Sequence, residues 1–248
     1  MNRIVNRRTF AAGAALFAVA GAPATAIEAS SIATPSAGGD KTVSIQKNKA
    51  LVMSAVDAFF NQHDQVAVDQ YVGAEFIQHS SEIADGQEGL RQYISQLNAS
   101  ASYELVRVFG DGDLVATHGR YSEFASEPRI AFDVYRVEND TIAEHWGGFQ
   151  TESGPNPGGH TMLDGPTVVA LPEQTESTRA FLNPFVETIL IGQQFDRIAD
   201  FIGTYTQHNP AIADGLEGLG AAQATISVAY NELHLSVVEG EFGMLILD

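Results

Sequence analysis

Four side chains in this sequence place a titratable group on or beside an apolar, alternating stretch: His79, His118, Asp133 and His145. An imidazole or carboxylate among apolar residues has its pKa moved towards working pH and suits general acid/base chemistry. Thiolate chemistry is excluded, because the chain has no cysteine. Period-2 alternation sorts the candidates by face. His118 lies with Leu114 and Ala116 on a face expected to point inward. Asp133 shares its face with Ala131 and Tyr135, and His145 with Ala143, Gly147 and Phe149, while Trp146 points the other way with Ile142 and reads as packing. Each has a structural alternative: Asp133 reads equally as an exposed strand carboxylate, and His79 as a hydrogen bond holding a loop.

The elements that must position these groups follow from periodicity. Residues 50–60 carry Leu51, Val52, Ala55 and Phe59 at helical spacing, and a shorter helix is expected over 64–71. Asp85 and Glu88 have the spacing of a capping box opening a third helix through Leu90, Tyr93, Ile94 and Leu97. That box accounts for the two acids without any substrate. The period then switches to 2, predicting strands at 103–109, 114–121, 130–137 and 141–150. Helices followed by an antiparallel meander make an α+β arrangement, with the amphipathic helices covering one face of the sheet.

The chain also resembles itself. Residues 76–90 recur 129 positions later as residues 205–219, with nine of fifteen identical, including Gln78-His79 against Gln207-His208 and Ala84-Asp85-Gly86 against Ala213-Asp214-Gly215. Helices over 180–201 and from 215 onward, then strands at 232–237 and 241–247, would form a second, incomplete copy. A half-built sheet has an open edge that invites pairing with another chain, as in a homodimer, or with the first copy. A truncated reading frame is the competing explanation.

Gln78-His79 with Ala84-Asp85-Gly86, Gly112-Asp113-Leu114-Val115-Ala116, Tyr135-Arg136-Val137-Glu138-Asn139 and Ile142-Ala143-Glu144-His145-Trp146 resemble the SnoaL-like polyketide cyclase family of the nuclear transport factor 2-like superfamily. The resemblance covers roughly residues 46–165 and again about 180–248. It implies a cone-shaped α+β fold whose curved sheet and helices enclose one apolar pocket. It also implies ring closure by an aldol step with no metal or cofactor: a base takes a proton beside a carbonyl and an acid protonates the acceptor oxygen. His145, His118 and Asp133 are the catalytic candidates, with His79, Tyr135 and Phe149 as substrate contacts. The sequence departs from the family pattern at Gly147, where the acid of Glu-His-Trp-Asp is missing. Either a histidine has taken over, or the pocket binds without turnover.

Residues 1–26 read as a leader. Arg7-Arg8 precedes an apolar run over 10–22, and Ala24-Thr25-Ala26 supplies a small-residue cleavage site, a pattern resembling twin-arginine export. The run is too short to remain as a membrane anchor. Its loss removes three arginines and no acids, taking the formal charge from −18 to −21. Such acidity disfavours nucleic acid and anionic membrane surfaces as partners. No metal is expected, since no ligand spacing such as His-x-x-x-His is present, and residues 154–159 lack the Lys-Ser/Thr of a phosphate loop.

The reading is a bacterial periplasmic or secreted α+β protein. Its parts are a leader (1–26), a disordered tether (27–45), a SnoaL-like domain (46–165), a linker (166–178) and a partial second domain (179–248). It would bind a small hydrophobic carbonyl compound, as a cofactor-independent cyclase, aldol-type or isomerase enzyme, or as a non-catalytic binding or oligomerisation module.

Overall fold

The computed structural model describes residues 13–18, 38–223 and 229–248. Arg7, Arg8 and the expected cleavage site at 24–26 lie outside the described residues. The central sheet has five strands: β2 (Val72–Gln78), β3 (Ser102–Asp111), β4 (Leu114–Ser122), β5 (Arg129–Glu138) and β6 (Thr141–Thr151), in the order β2-β6-β5-β4-β3. β3 to β6 form the antiparallel meander that the alternation and turn residues predict. β2 is an addition, pairing parallel with β6 through a register shift. Its sequence, Val-Gly-Ala-Glu-Phe-Ile-Gln, alternates too poorly to announce a strand.

Three helices cover one face: α1 (Gly38–Phe60), α2 (Ala67–Tyr71) and α3 (Gly86–Ser95). Val52, Ala55, Val56, Phe59, Leu90 and Ile94 bury against Tyr103, Val115, Tyr135 and Ile142. α1 begins at Gly38, so the last part of the expected tether is helical. Tertiary contacts hold that first half: Asn48 Nδ2 donates to the Gly112 carbonyl (3.1 Å), and Lys49 pairs with Glu239 (2.9 Å). Val43, in the same stretch, is exposed, which is why apolar spacing failed to mark it.

The capping box does not form. Asp85 occupies the N-cap of α3 but makes no side-chain cap bond. Its Oδ1 instead accepts the Gln78 N–H (3.0 Å), tying the end of β2 to the start of α3. The second copy of the motif does the same, with Gln207 N–H donating to Asp214 Oδ1 at 2.8 Å. Gly86 and Gly215 follow at φ +80° and +76°, a conformation that favours glycine. The repeated acids therefore close a loop on its own strand.

The described elements after β6 lie on the other face of the sheet. α4 (Thr175–Phe185) continues into a π-helical turn (Val186–Ile191), followed by a 3₁₀ turn (Phe195–Asp200) and α5 (Gly215–Gln223). The helices expected over 180–201 are present as an α, a π and a 3₁₀ segment; Pro184 sits inside α4 and Gly192 ends the π turn. β7 (Leu233–Glu239) and β8 (Phe242–Leu247) form a hairpin, and β1 (Gly13–Ala18) pairs antiparallel with β8. The open edge of the hairpin is therefore met by the apolar run read as a leader. Val237, Phe242, Met244 and Ile246 pack on Phe109, Ala116 and Val134, so both faces of the five-stranded sheet are covered.

Candidate functional site

The β5–β6 register sets Asp133 opposite Gly147 and Tyr135 opposite His145, all four on the face under the helices. Asp133 and His145 meet there, Oδ1 to Nε2 at 3.1 Å, both buried. The other ring nitrogen, Nδ1, lies 2.8 Å from Gln78 Oε1. That oxygen also accepts the Ser80 N–H at 2.9 Å, which fixes the orientation of the Gln78 amide. Nδ1 must then carry a proton and donate to Gln78. Nε2 faces a carboxylate oxygen, so one further proton lies between His145 and Asp133. A hydrogen bond to a group that is itself held is how an imidazole is fixed in one tautomer.

Three phenols attend this pair. The Tyr121 hydroxyl reaches Asp133 Oδ2 at 3.5 Å. Tyr121 and Tyr135 are raised well above the usual phenol range, first by burial and then by the Asp133 charge. Tyr93 is pushed up to about 12, by burial first and then by Glu82. All three keep their protons at neutral pH and can donate a hydrogen bond to an oxygen that gains negative charge beside them. A cavity of about 50 Å³ sits over Asp133, His145 and Gly147, walled by Phe60, Tyr121 and Phe124.

Gly147 is a consequence of Asp133. A Cβ at position 147 would lie 2.6 Å from Asp133 Oδ1 and 2.9 Å from His145 Cε1. The carboxylate that the family pattern suggests at 147 is absent, but a carboxylate from the directly opposed strand residue fills that space.

Of the remaining predicted residues, His118 and His79 go elsewhere, while Phe149 and Tyr135 stay by the pair. His118 projects from the opposite face, with Leu114 and Ala116 as alternation required, but that face is turned away from the helices. It is 1% exposed, stacked on Phe132 at 4.4 Å, with Nδ1 3.0 Å from Arg107 Nη1. His79 also lies on the far side: its ring stacks on Trp146 (4.8 Å) and its Nε2 meets Glu144 (2.7 Å), which also takes Arg136. Phe149 is exposed and lies under the Arg129 guanidinium at 4.0 Å, at the rim of the small cavity. Tyr135 stacks on His145 at 4.7 Å. Three residues were not among the predicted site residues: Gln78, Tyr121 and Arg107. For Gln78 the signal existed, since it recurs with its histidine. Among the described residues, Glu232, His234 and Asp248 also bring ligand-type atoms within 4.8 Å of one another, far from this pair.

Residues 54–145 match the family model described as a SnoaL-like domain. No curated protein matches the chain. Among solved structures, TsrD from Streptomyces laurentii is 17% identical, covering 42% of this chain and 89% of its own, with a TM-score of 0.36. An LEH-like epoxide hydrolase from M. tuberculosis is 16% identical, with 43% and 84% covered and a TM-score of 0.37. An NTF-2 like protein from Burkholderia xenovorans LB400 is 18% identical, with 45% and 89% covered and a TM-score of 0.40.

Proposed function

We propose that this protein takes the carbonyl end of a small apolar compound against Asp133 and His145 and moves a proton from the adjacent carbon. Asp133 is the base. His145 holds its Oδ1 and shares its proton, and Gln78 holds His145. The Tyr121 phenol donates to the oxygen on which enolate charge develops, a job that a buried, protonated phenol performs without reorganisation. Isomerisation and aldol-type ring closure both begin with this step. The observation that carries the reading is the run of contacts from Ser80 through Gln78 and His145 to Asp133, which leaves one proton shared beside a small cavity walled by Phe60, Tyr121 and Phe124.

The relation between positions 133 and 147 gives the test. Gly147→Ala puts a methyl group where the Asp133 carboxylate sits, and a misplaced base of this kind costs roughly 10²-fold in rate. The swap Asp133→Gly with Gly147→Asp returns a carboxylate to the same face from the neighbouring strand. Deuterium exchange into 2-butanone, followed by NMR, is expected to fall with Gly147→Ala and to recover in part in the swap. Unchanged exchange in Gly147→Ala contradicts the reading.

A second reading, a non-catalytic binding or assembly module, is favoured by the small size of that cavity. We propose further that residues 179–248 are a partial second copy, and that residues 1–26 are removed on export to the periplasm. Removal takes β1 with it and opens the outer edge of β8, a row of buried apolar residues. An unpaired apolar edge associates. Sedimentation of a chain beginning at residue 27 is expected to give a homodimer where the full chain is monomeric; a monomer in both contradicts the edge pairing.

A further inference from the structure

We infer that a second cavity, on the outer face of the five-stranded sheet, binds an apolar carboxylic acid, its carboxylate held at Arg107 and His118. The inference is independent of the acid–base reading, because none of its residues belongs to the Asp133–His145 pair. The cavity measures about 600 Å³, within the roughly 300–1,000 Å³ of small-molecule sites.

Its origin lies in how the sheet is covered. The β7–β8 hairpin packs closely over Phe109, Ala116 and Val134. The turns between residues 185 and 212 cover the remainder across a gap, with Phe185, Ile189, Ile198 and Ile202 facing Phe132 and His118. The wall is apolar, as the tail of a ligand would require.

The floor is polar and incompletely satisfied. Arg107 is 4% exposed. Its Nε donates to the Pro166 carbonyl (2.6 Å), and its Nη2 donates to those of Leu163 (3.1 Å) and Asp164 (2.5 Å). Among the described residues its hydrogen-bond acceptors are these three carbonyls and the His118 ring; no carboxylate is among them. The Asp164 carboxylate acts on Arg107 through space without a hydrogen bond to it; its Oδ2 takes His160 Nδ1 (3.3 Å) and the Thr161 N–H (3.2 Å), and His208 Nδ1 lies 2.6 Å from its Oδ1. Burial pulls the Arg107 guanidinium down and the Asp164 charge offsets only part of that, so a buried cation with no carboxylate in hydrogen-bond contact is left short of negative charge. His118 completes the floor. Its Nδ1 accepts from Arg107, so its proton sits on Nε2, and that buried nitrogen has no partner among the described residues. Unsatisfied buried donors are uncommon in folded proteins and mark a missing partner. A carboxylate supplies both the negative charge and the acceptor; the apolar wall supplies the reason for a hydrocarbon tail.

Isothermal titration of the full chain with dodecanoate tests this, with dodecan-1-ol as the same tail without the charge. Saturable 1:1 binding of dodecanoate is expected, with dodecan-1-ol weaker by roughly tenfold or more, the worth of a charge-assisted hydrogen bond. Ile198→Trp fills the cavity from its apolar wall and is expected to weaken dodecanoate by a similar factor. His118→Phe keeps the stacked ring and removes the donor, with the same expectation; Asp133→Asn should leave the affinity unchanged. Ile198→Trp keeps the test decisive if His118→Phe fails to fold. Equal binding of acid and alcohol, no saturable binding, or full affinity in Ile198→Trp overturns the proposal.

Discussion

Asp133→Asn is expected to lower deuterium exchange into 2-butanone by about 10²–10⁴-fold, the range contributed by a positioned general acid or base, with the fold intact. The amide is isosteric with the carboxylate and keeps one oxygen for the Tyr121 hydroxyl, which lies 3.5 Å away in the native chain. It can still meet His145 Nε2, 3.1 Å from the native Oδ1, because a neutral ring accepts there from an amide N–H while Nδ1 continues to donate to Gln78. The substitution therefore removes the base and the shared proton without leaving a buried group unpaired. Exchange rate and urea midpoint, measured together, separate the two effects. A variant that retains native exchange assigns the base elsewhere; one that loses exchange only in proportion to lost stability makes Asp133 a structural group.

The second large effect belongs to the opposite face and to acid. His118 is pushed down to about 3, by burial first, then by the Arg107 charge and His208. In the unfolded chain an ordinary histidine takes up its proton near 6.5. Between those values the unfolded chain binds a proton that the folded chain refuses, so stability rises with pH across the interval. The contribution is complete above about pH 6.5 and is lost as pH falls towards 3. From pH 6.5 to 4.5 the expected loss is about 2 kcal/mol from this residue alone. His118→Gln cannot titrate, so the slope of unfolding free energy against pH should flatten over that interval, whatever the substitution costs at pH 8. Equal slopes in the two proteins would contradict a neutral, enclosed His118.

How much of this could be read beforehand depended on which physical signal each element carries. The turns at 110–112 and 138–140 and the alternation between them placed β3 to β6 to within a residue or two. Alternation also sorted the side chains by face: Asp133 fell with Tyr135, and His118 with Ala116. It could not say which face was the pocket, because a chain folded back over the outer side buries both. His118 was expected inward and is inward, but on the side away from the helices. The repeat drew attention to His79 and His208, whereas it is the recurring Gln78 that hydrogen-bonds His145. Gln78 acts through an amide oxygen already bound to Ser80, a contact with no signature in residue type. The opposition of Asp133 and Gly147 needs strand register, and the shift between Arg136 and Val137 moves that register by one residue from what the tight turn at 139–140 gives on its own. Arg107, flanked by Val106 and Val108, was a charge in an apolar strand and could have been singled out as a buried cation.

The stereochemistry of exchange at the third carbon of 2-butanone tests the central claim most directly. A carboxylate fixed by His145 on one oxygen and Tyr121 near the other meets that carbon from one side only. In deuterated buffer the native chain should place a single deuterium there, in one configuration, and incorporate the second far more slowly. Equal loss of both hydrogens, or exchange no faster than in buffer, would mean that Asp133 and His145 do not form a proton-transfer site.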